Sequence, residues 1–280
     1  MPSLEKVDRK KELESLFGTR NFVIGMVQLL PLPGSPRWTG QMADVLERAV
    51  SDAEALDEGE IDGLIVENFG DAPFCRGRVE AHTISAMTLA VEAVRKAVNV
   101  PVGVNVLRND SKSALAIAST AGGEFIRVNV HTGAMITDQG LIEGNAHESL
   151  RYRKELGTDT KILADVLVKH AVPLGSLTLE QAARDTVHRG LADAIIVTGI
   201  GTGQPADEAD VQRARDAVPE FPVLVGSGVN KGNLARLLSI ADGVIVGTSL
   251  KEGEITTNPV DQARVAAFMA LVKQLRQVCP

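Results

Sequence analysis

The chain has 280 residues, 44% of them hydrophobic and 23% charged, with a formal net charge of −7. A generally acidic surface repels a phosphate backbone and argues against nucleic-acid binding, which the short run Arg9-Lys10-Lys11 is too small to reverse. Aromatic residues make up only 3%, which leaves the core to Val, Ile, Leu and Ala, the palette of a parallel sheet buried on both faces.

The opening segment is charged and has no apolar core, so it does not read as a signal peptide. No apolar run approaches the ~20 residues that a membrane helix needs. Two cysteines occur, Cys75 and Cys279, in no metal-ligand spacing. They read as free thiols in a reducing compartment, and a soluble, cytoplasmic protein is the expectation.

Short β-branched runs alternate with longer amphipathic stretches from end to end. Strands are expected at 22–29, 61–68, 100–107, 125–130, 161–168, 194–198, 222–226 and 243–247. Helices are expected at 41–57, 81–98, 111–121, 147–156, 178–189, 207–218, 230–239 and 259–278, with Ser111, Thr178 and Asn230 at cap positions. Eight βα units in unbroken alternation, in a length near the ~250 residues usual for such a fold, predict a closed α/β barrel, (βα)8, as a single domain. Residues 1–20 form an N-terminal extension and 21–280 the barrel. Two connections are long, 30–40 after the first strand and 131–144 after the fourth. Both fall on the rim where barrel enzymes carry lids and specificity elements.

The last three strands end in glycine-rich turns. The sixth gives Thr198, Gly199, Gly201 and Gly203, the seventh Gly226, Ser227 and Gly228, the eighth Gly247 and Thr248. Such turns leave backbone N–H groups unobstructed, and a helix beginning there adds its positive end. Barrels often hold a phosphate between the last two loops. The phosphate-binding set is therefore Thr198, Gly199, Gly201, Gly226, Ser227, Gly228, Gly247 and Thr248. The competing reading is that these glycines only relieve turn strain.

Polar residues collect near the ends of the first five strands, where an all-parallel sheet should be apolar. They are Gln28; Glu67 and Asn68; Asn105 and Arg108; Arg127, Asn129 and His131; and Asp165 with Lys169. Buried carboxylates need partners, so the group reads as a converging ring rather than as scattered substitutions. Asp165 is the first candidate for general acid/base chemistry and Glu67 the second. Lys169 reads first as a cation for an anionic substrate. A Schiff-base role requires a desolvated amine, and Lys169 stands where strand gives way to loop. His131 is either a proton shuttle or a loop residue bonded to nearby backbone. Gln28, Asn68, Asn105, Arg108 and Asn129 complete a substrate-binding set. The histidines form no metal motif. No cofactor is required, although carboxylates and amides could hold Mg²⁺ through phosphate oxygens.

The segments GMVQLLPLPGSP, DGLIVENFGDAPF, VGVNVLRND, FIRVNVHTGAMITDQGLIEG, ADVLVKHA and VTGIGTGQPAD resemble the BtpA family, also called BtpA/SgcQ, over essentially the whole chain after Arg20. The resemblance implies a TIM-type barrel of the phosphate-binding kind. The family's name comes from photosystem I biogenesis and stability, yet its members extend to organisms without photosynthesis. Its motifs coincide here with Gln28, Glu67, Asn68, Asp71, Asn105, Arg108, Asn129, His131, Asp165, Lys169 and His170, and with the glycine turns. It brings no catalytic assignment. Two expectations follow. One is an enzyme of isomerase, lyase or glycosyl-transfer type acting on a small phosphorylated metabolite. The other is a non-catalytic assembly or stability factor. Self-association is expected with either.

Overall fold

Successive side chains on a strand face opposite ways, and here the two sets differ in kind. The computed structural model describes residues 8–199 and 201–278. The chain runs α1 (Arg9–Phe17), β1 (Phe22–Gln28), α2 (Met42–Glu58), β2 (Gly63–Glu67), α3 (Ala81–Ala97), β3 (Val102–Asn105), α4 (Ser111–Ala121) and β4 (Phe125–Val128). It continues with β5 (Ala134–Thr137), β6 (Gly140–Glu143), α5 (Ala146–Glu155), β7 (Lys161–Val166), β8 (Ala171–Pro173), α6 (Leu179–Arg184) and β9 (Ala194–Thr198). It ends with α7 (Glu208–Ala217), β10 (Val223–Gly226), α8 (Leu234–Leu238), β11 (Gly243–Val246) and α9 (Gln262–Val278).

Eight strands pair in parallel in the order β1-β2-β3-β4-β7-β9-β10-β11 and close where Phe22 of β1 meets Gly243 of β11. These are the eight predicted strands in their predicted sequence. Residues of one parity, such as Val23, Leu64, Val104, Ile126, Ile162, Val197 and Val225, pack outward against the helices. Those of the other parity fill the interior: Phe22, Ile24, Met26, Ile65, Phe125, Leu163, Ile196, Leu224 and Ile245. The same inward parity carries Gln28, Glu67, Asn105, Arg127 and Asp165, so the interior is apolar at its floor and polar toward the strand C-termini.

The segment expected as an N-terminal extension is described from Asp8 onward. Asp8 caps α1 by accepting from the Lys11 amide, and Leu13 and Phe17 drop into the barrel floor. The Phe17 ring stacks on Phe22 at 4.3 Å and meets Phe125 edge-on at 5.4 Å. In a chain with seven phenylalanines, three of them close this one end.

Some expectations change. Helix α4 is capped by Asp110, whose Oδ1 accepts from the Ser113 amide, rather than by Ser111. Asn230 forms an Asx turn to the Gly232 amide, and α8 begins only at Leu234. Thr178 does cap α6, accepting from the Gln181 amide. Residues 131–144 contain the hairpin β5–β6, and β8 joins it in an antiparallel sheet over the barrel mouth. Met135 and Ile142 pack beneath that sheet on Val130 and Val168. Among the described residues no helix is long and apolar enough to cross a membrane.

Candidate functional site

Two adjoining cavities open at the strand C-termini. The larger, about 440 Å³, is lined by Glu67, Phe69, Phe74, Arg108, Lys169 and the Asp138–Gln139 tip of the hairpin, among others. The smaller, about 40 Å³, lies against Ser227, Gly228, Val229, Gly247, Thr248 and Ser249. Glu67, Phe69, Arg127, Lys169 and Thr202 line both, so these are two lobes of one site. A larger cleft, about 570 Å³, lies at the other end of the barrel beside Arg9, Leu191 and Phe221. It holds none of the polar ring and none of the glycine turns.

Asp165, the first acid/base candidate, is fully engaged. Arg127 donates to it through Nε (3.1 Å) and Nη2 (3.0 Å), and Asn129 donates through Nδ2 at 2.8 Å. Its side chain is 0% exposed and lines neither lobe. The correction is physical: a buried carboxylate that takes three donors and lines neither cavity holds the floor of the site rather than facing a ligand. Arg127 is thereby fixed with its guanidinium facing both lobes.

Glu67, the second candidate, is the available carboxylate. It lines both lobes and makes no side-chain hydrogen bond or ion pair among the described residues. Burial pushes its pKa above the ordinary value, and Arg127, Lys169 and Arg108 only partly oppose this. Lys169 faces it across the junction, equally without a hydrogen-bonded partner among the described residues. Burial, and then the charge of Arg127, bring its ammonium down to about 8. A carboxyl displaced upward and an amine displaced downward thus share one cavity, and shifts of opposite sign in neighbouring groups are a feature of functional sites.

The remaining residues divide. Gln28 lines the smaller lobe, and its Oε1 is buried without a partner. Asn105 lies in the interior; its Nδ2 is 3.5 Å from the Asn129 Oδ1 and its own Oδ1 is unpartnered. Arg108 lines the larger lobe and donates to the Lys169 carbonyl at 2.7 Å. Asn68 is turned away. It accepts from the Leu107 amide and donates to Asp71, clamping two loops together. His131 is turned away as well, with Nε2 2.8 Å from the Gly190 carbonyl, which is the backbone-bonded alternative. Among the described residues no group of three or more His, Cys, Asp or Glu is arranged to hold a metal ion.

The glycine turns also divide. Thr198 Oγ1 accepts from the Lys169 amide, and Ser227 Oγ donates to the Gly201 carbonyl. A Cβ on Gly199 would meet the Gln204 carbonyl at 2.3 Å, and one on Gly228 (φ +67°) would meet the Pro205 nitrogen at 2.2 Å. Gly199 is spared for the fold-back of its own loop onto Gln204 and Pro205, and Gly228 because the loop after β9 lies across the loop after β10. A Cβ on Gly226 would crowd Ile196 and approach Arg127. Thr198, Gly199 and Gly201 are absent from both linings; among the described residues Thr202 alone represents their loop. Four backbone N–H groups in the smaller lobe, those of Gly228, Val229, Thr248 and Ser249, donate to nothing among the described residues. Two of these N–H groups, those of Thr248 and Ser249, open the short 3-10 helix Thr248–Leu250, and the other two stand on loop. Helix α8 starts too late to supply any of them.

Sequence reasoning did not single out Phe69 and Phe74 as site residues. Their rings, 6.4 Å apart, wall the larger lobe, and two aromatics in one strand-end loop of an aromatic-poor chain were the available signal.

The chain matches the sequence profile of the BtpA family over residues 19–274. It belongs to the BtpA family. It is 55% identical over 258 residues to the photosystem I biogenesis protein BtpA of Synechocystis, covering 92% of this chain and 90% of that one. It is 33% identical over 268 residues to the sgc region protein SgcQ of Escherichia coli K12, covering 95% and 99%. Among solved structures this BtpA-family barrel superposes on a native KDPGal structure with TM-score 0.57 at 13% identity, covering 91% and 96% of the two chains. Orotidine 5′-phosphate decarboxylase of Pyrococcus horikoshii gives 0.55 at 14%, covering 90% and 99%. N-(5′-phosphoribosyl)anthranilate isomerase of Pyrococcus furiosus gives 0.54 at 15%, covering 90% and 98%. Identities this low establish a shared barrel and nothing about chemistry.

Proposed function

We propose that this BtpA-family barrel is an enzyme acting on a small phosphorylated metabolite. The phosphate would lie in the lobe of Gly228, Val229, Thr248 and Ser249, and Glu67 and Lys169 would move protons on the part of the substrate in the larger lobe. One observation carries the reading: backbone donors, a carboxylate and an amine, all without hydrogen-bond partners among the described residues, line the same cavity. Buried polar groups are normally satisfied, and those without a partner inside the chain are suited to one from outside it. The solved barrels named above are described by phosphorylated substrates in two cases, which agrees with the reading.

The test is a thermal-shift screen with phosphorylated sugars and nucleotides, since a ligand of the native state raises the melting temperature. A rise that disappears when the phosphate is removed from the compound supports the reading. No shift from any phosphate ester overturns it.

A second reading, an assembly factor, is favoured by one specific feature. Ile136 lies opposite both Leu141 and Val172 on the small sheet, and these three with Leu174 are 42–64% exposed. Contiguous apolar surface of this kind marks docking sites. A partner protein, or a second copy of the chain as expected from the sequence, would cover it.

A further inference from the structure

Buried Lys251 and half-buried Lys169 differ in how they are held. Lys251 is 1% exposed and ion-paired with Asp52 at 2.8 Å; Asp52 also accepts from the Val260 amide and from Arg48. That lysine ties the loop after β11 to α2. Lys169 has no such partner among the described residues, although its backbone is held at both ends. Its amide donates to Thr198 Oγ1 at 3.1 Å, and its carbonyl accepts from Arg108 Nη2 at 2.7 Å. Leu167 (φ 49°), two residues before it, and His170 (φ 57°), directly after it, both sit in the left-handed region, where non-glycine residues are held only by their surroundings. The turn thus fixes where the Lys169 side chain leaves the backbone, and the side chain lines both lobes.

A phosphate in the smaller lobe already has four N–H donors and the Arg127 guanidinium. A further cation is not needed there. The Arg127 and Arg108 charges beside Lys169 disfavour its ammonium form, and a desolvated amine next to other cations is an activated nucleophile.

We infer that Lys169 forms an imine with the carbonyl group of a phosphorylated aldehyde or ketone bound across the two lobes. The Nζ lone pair attacks the carbonyl carbon, the C=O π electrons pass to the oxygen, and a proton moves from the nitrogen to that oxygen, giving a carbinolamine. Its hydroxyl, protonated by Glu67, departs as water, and the C=N bond forms. The resulting iminium withdraws electrons from the neighbouring carbon. The Glu67 carboxylate then removes a proton from that carbon and the electron pair passes into an enamine. This step serves isomerase and lyase chemistry alike.

The inference rests on the phosphorylated-metabolite reading and is tested separately from it. The full-length protein is incubated with glyceraldehyde 3-phosphate, dihydroxyacetone phosphate or ribose 5-phosphate, each with and without sodium borohydride. Intact-mass and peptide-mapping spectrometry follow, with thermal shifts for the same compounds. Hydride reduction of the imine leaves a stable secondary amine, so the expected adduct has the mass of the ligand less one oxygen atom. It maps to Lys169, requires borohydride and is absent from K169R. A thermal shift without an adduct overturns the imine and leaves the phosphate site standing. An adduct spread over surface lysines, or equal in K169R, overturns the imine too. Neither shift nor adduct from any of the three overturns both readings for phosphorylated carbonyl compounds. Peptide mapping of the wild type decides the site even where a variant folds poorly.

Discussion

Asp165→Asn and Glu67→Gln, both isosteric and both in one polar ring, should behave in opposite ways. Asp165 receives two hydrogen bonds from Arg127 and one from Asn129, and the Asp165 and Arg127 side chains are 0% and 4% exposed. An amide at 165 has one acceptor oxygen where the carboxylate has two. An NH2 group faces one donor if it takes the Oδ1 position and two if it takes the Oδ2 position, and the guanidinium loses its buried counter-charge. Removing one member of a buried ion pair costs about 3–5 kcal/mol. At roughly 2–4 °C per kcal/mol for a domain of this order of size, D165N should melt on the order of 6–20 °C below wild type. Glu67 has no intramolecular bond to lose, so E67Q should stay within about 0.5 kcal/mol of wild type or gain stability. Thermal and urea melts of the two variants decide it. The double variant R127M/D165L should recover much of the D165N loss, because the uncompensated charge goes with its partner. D165N melting with wild type, or E67Q falling as far as D165N, would refute the division between a carboxylate that builds the site and one that serves it.

Four further outcomes follow from the same geometry. F17A opens the barrel floor where Phe17 stacks on Phe22 and should lower stability by about 3–5 kcal/mol in urea. D52A strands Lys251 and frees the Val260 amide. It should lose a similar ~3–5 kcal/mol and raise hydrogen exchange in residues 247–261. G228A combines φ +67° with a contact at 2.2 Å to Pro205, so it should displace the loop after β9 and weaken binding of the phosphorylated ligand, read by calorimetry. The pH slopes should have opposite signs. Glu67 is raised in the folded state, so between its unfolded and folded values the native protein holds more protons and its contribution to stability falls as pH rises. Lys169 sits at about 8 instead of 10.5, so across that interval the unfolded chain holds more protons and stability rises with pH. Urea midpoints of E67Q and K169M against wild type should each lack one slope.

The barrel was legible because a two-residue period sorts every strand into helix-facing and interior sides, and because eight strands alternate with helices without interruption. The same period placed Gln28, Glu67, Asn105, Arg127 and Asp165 on the interior face. What it could not reveal is which of them satisfy one another. Arg127 and Asp165 lie 38 residues apart, and their bidentate pairing depends on β4 and β7 lying side by side. That Asn68 points into a loop was equally hidden, and for His131 the backbone-bonded alternative could be named but not chosen. Both stand beyond the last strand residue, where the period no longer governs direction. Backbone crowding, within its own loop for Gly199 and from a crossing loop for Gly228, hid the meaning of both, since a glycine spared for neighbouring chain and one spared for a ligand look alike in sequence.

Two carboxylates of one ring thus acquire different work from their neighbours alone. Asp165 has three donors within hydrogen-bond distance and is spent on orienting Arg127. Glu67, one strand from Gln28 and one from Asn105, meets only charges at a distance and is left displaced upward in pKa. A buried charge is tolerated when it is paired and reactive when it is not. The same contrast separates Lys251 from Lys169. In both cases the unpaired member is the one that faces the cavity, so satisfied pairs build the walls and unsatisfied groups are collected where a ligand can complete them.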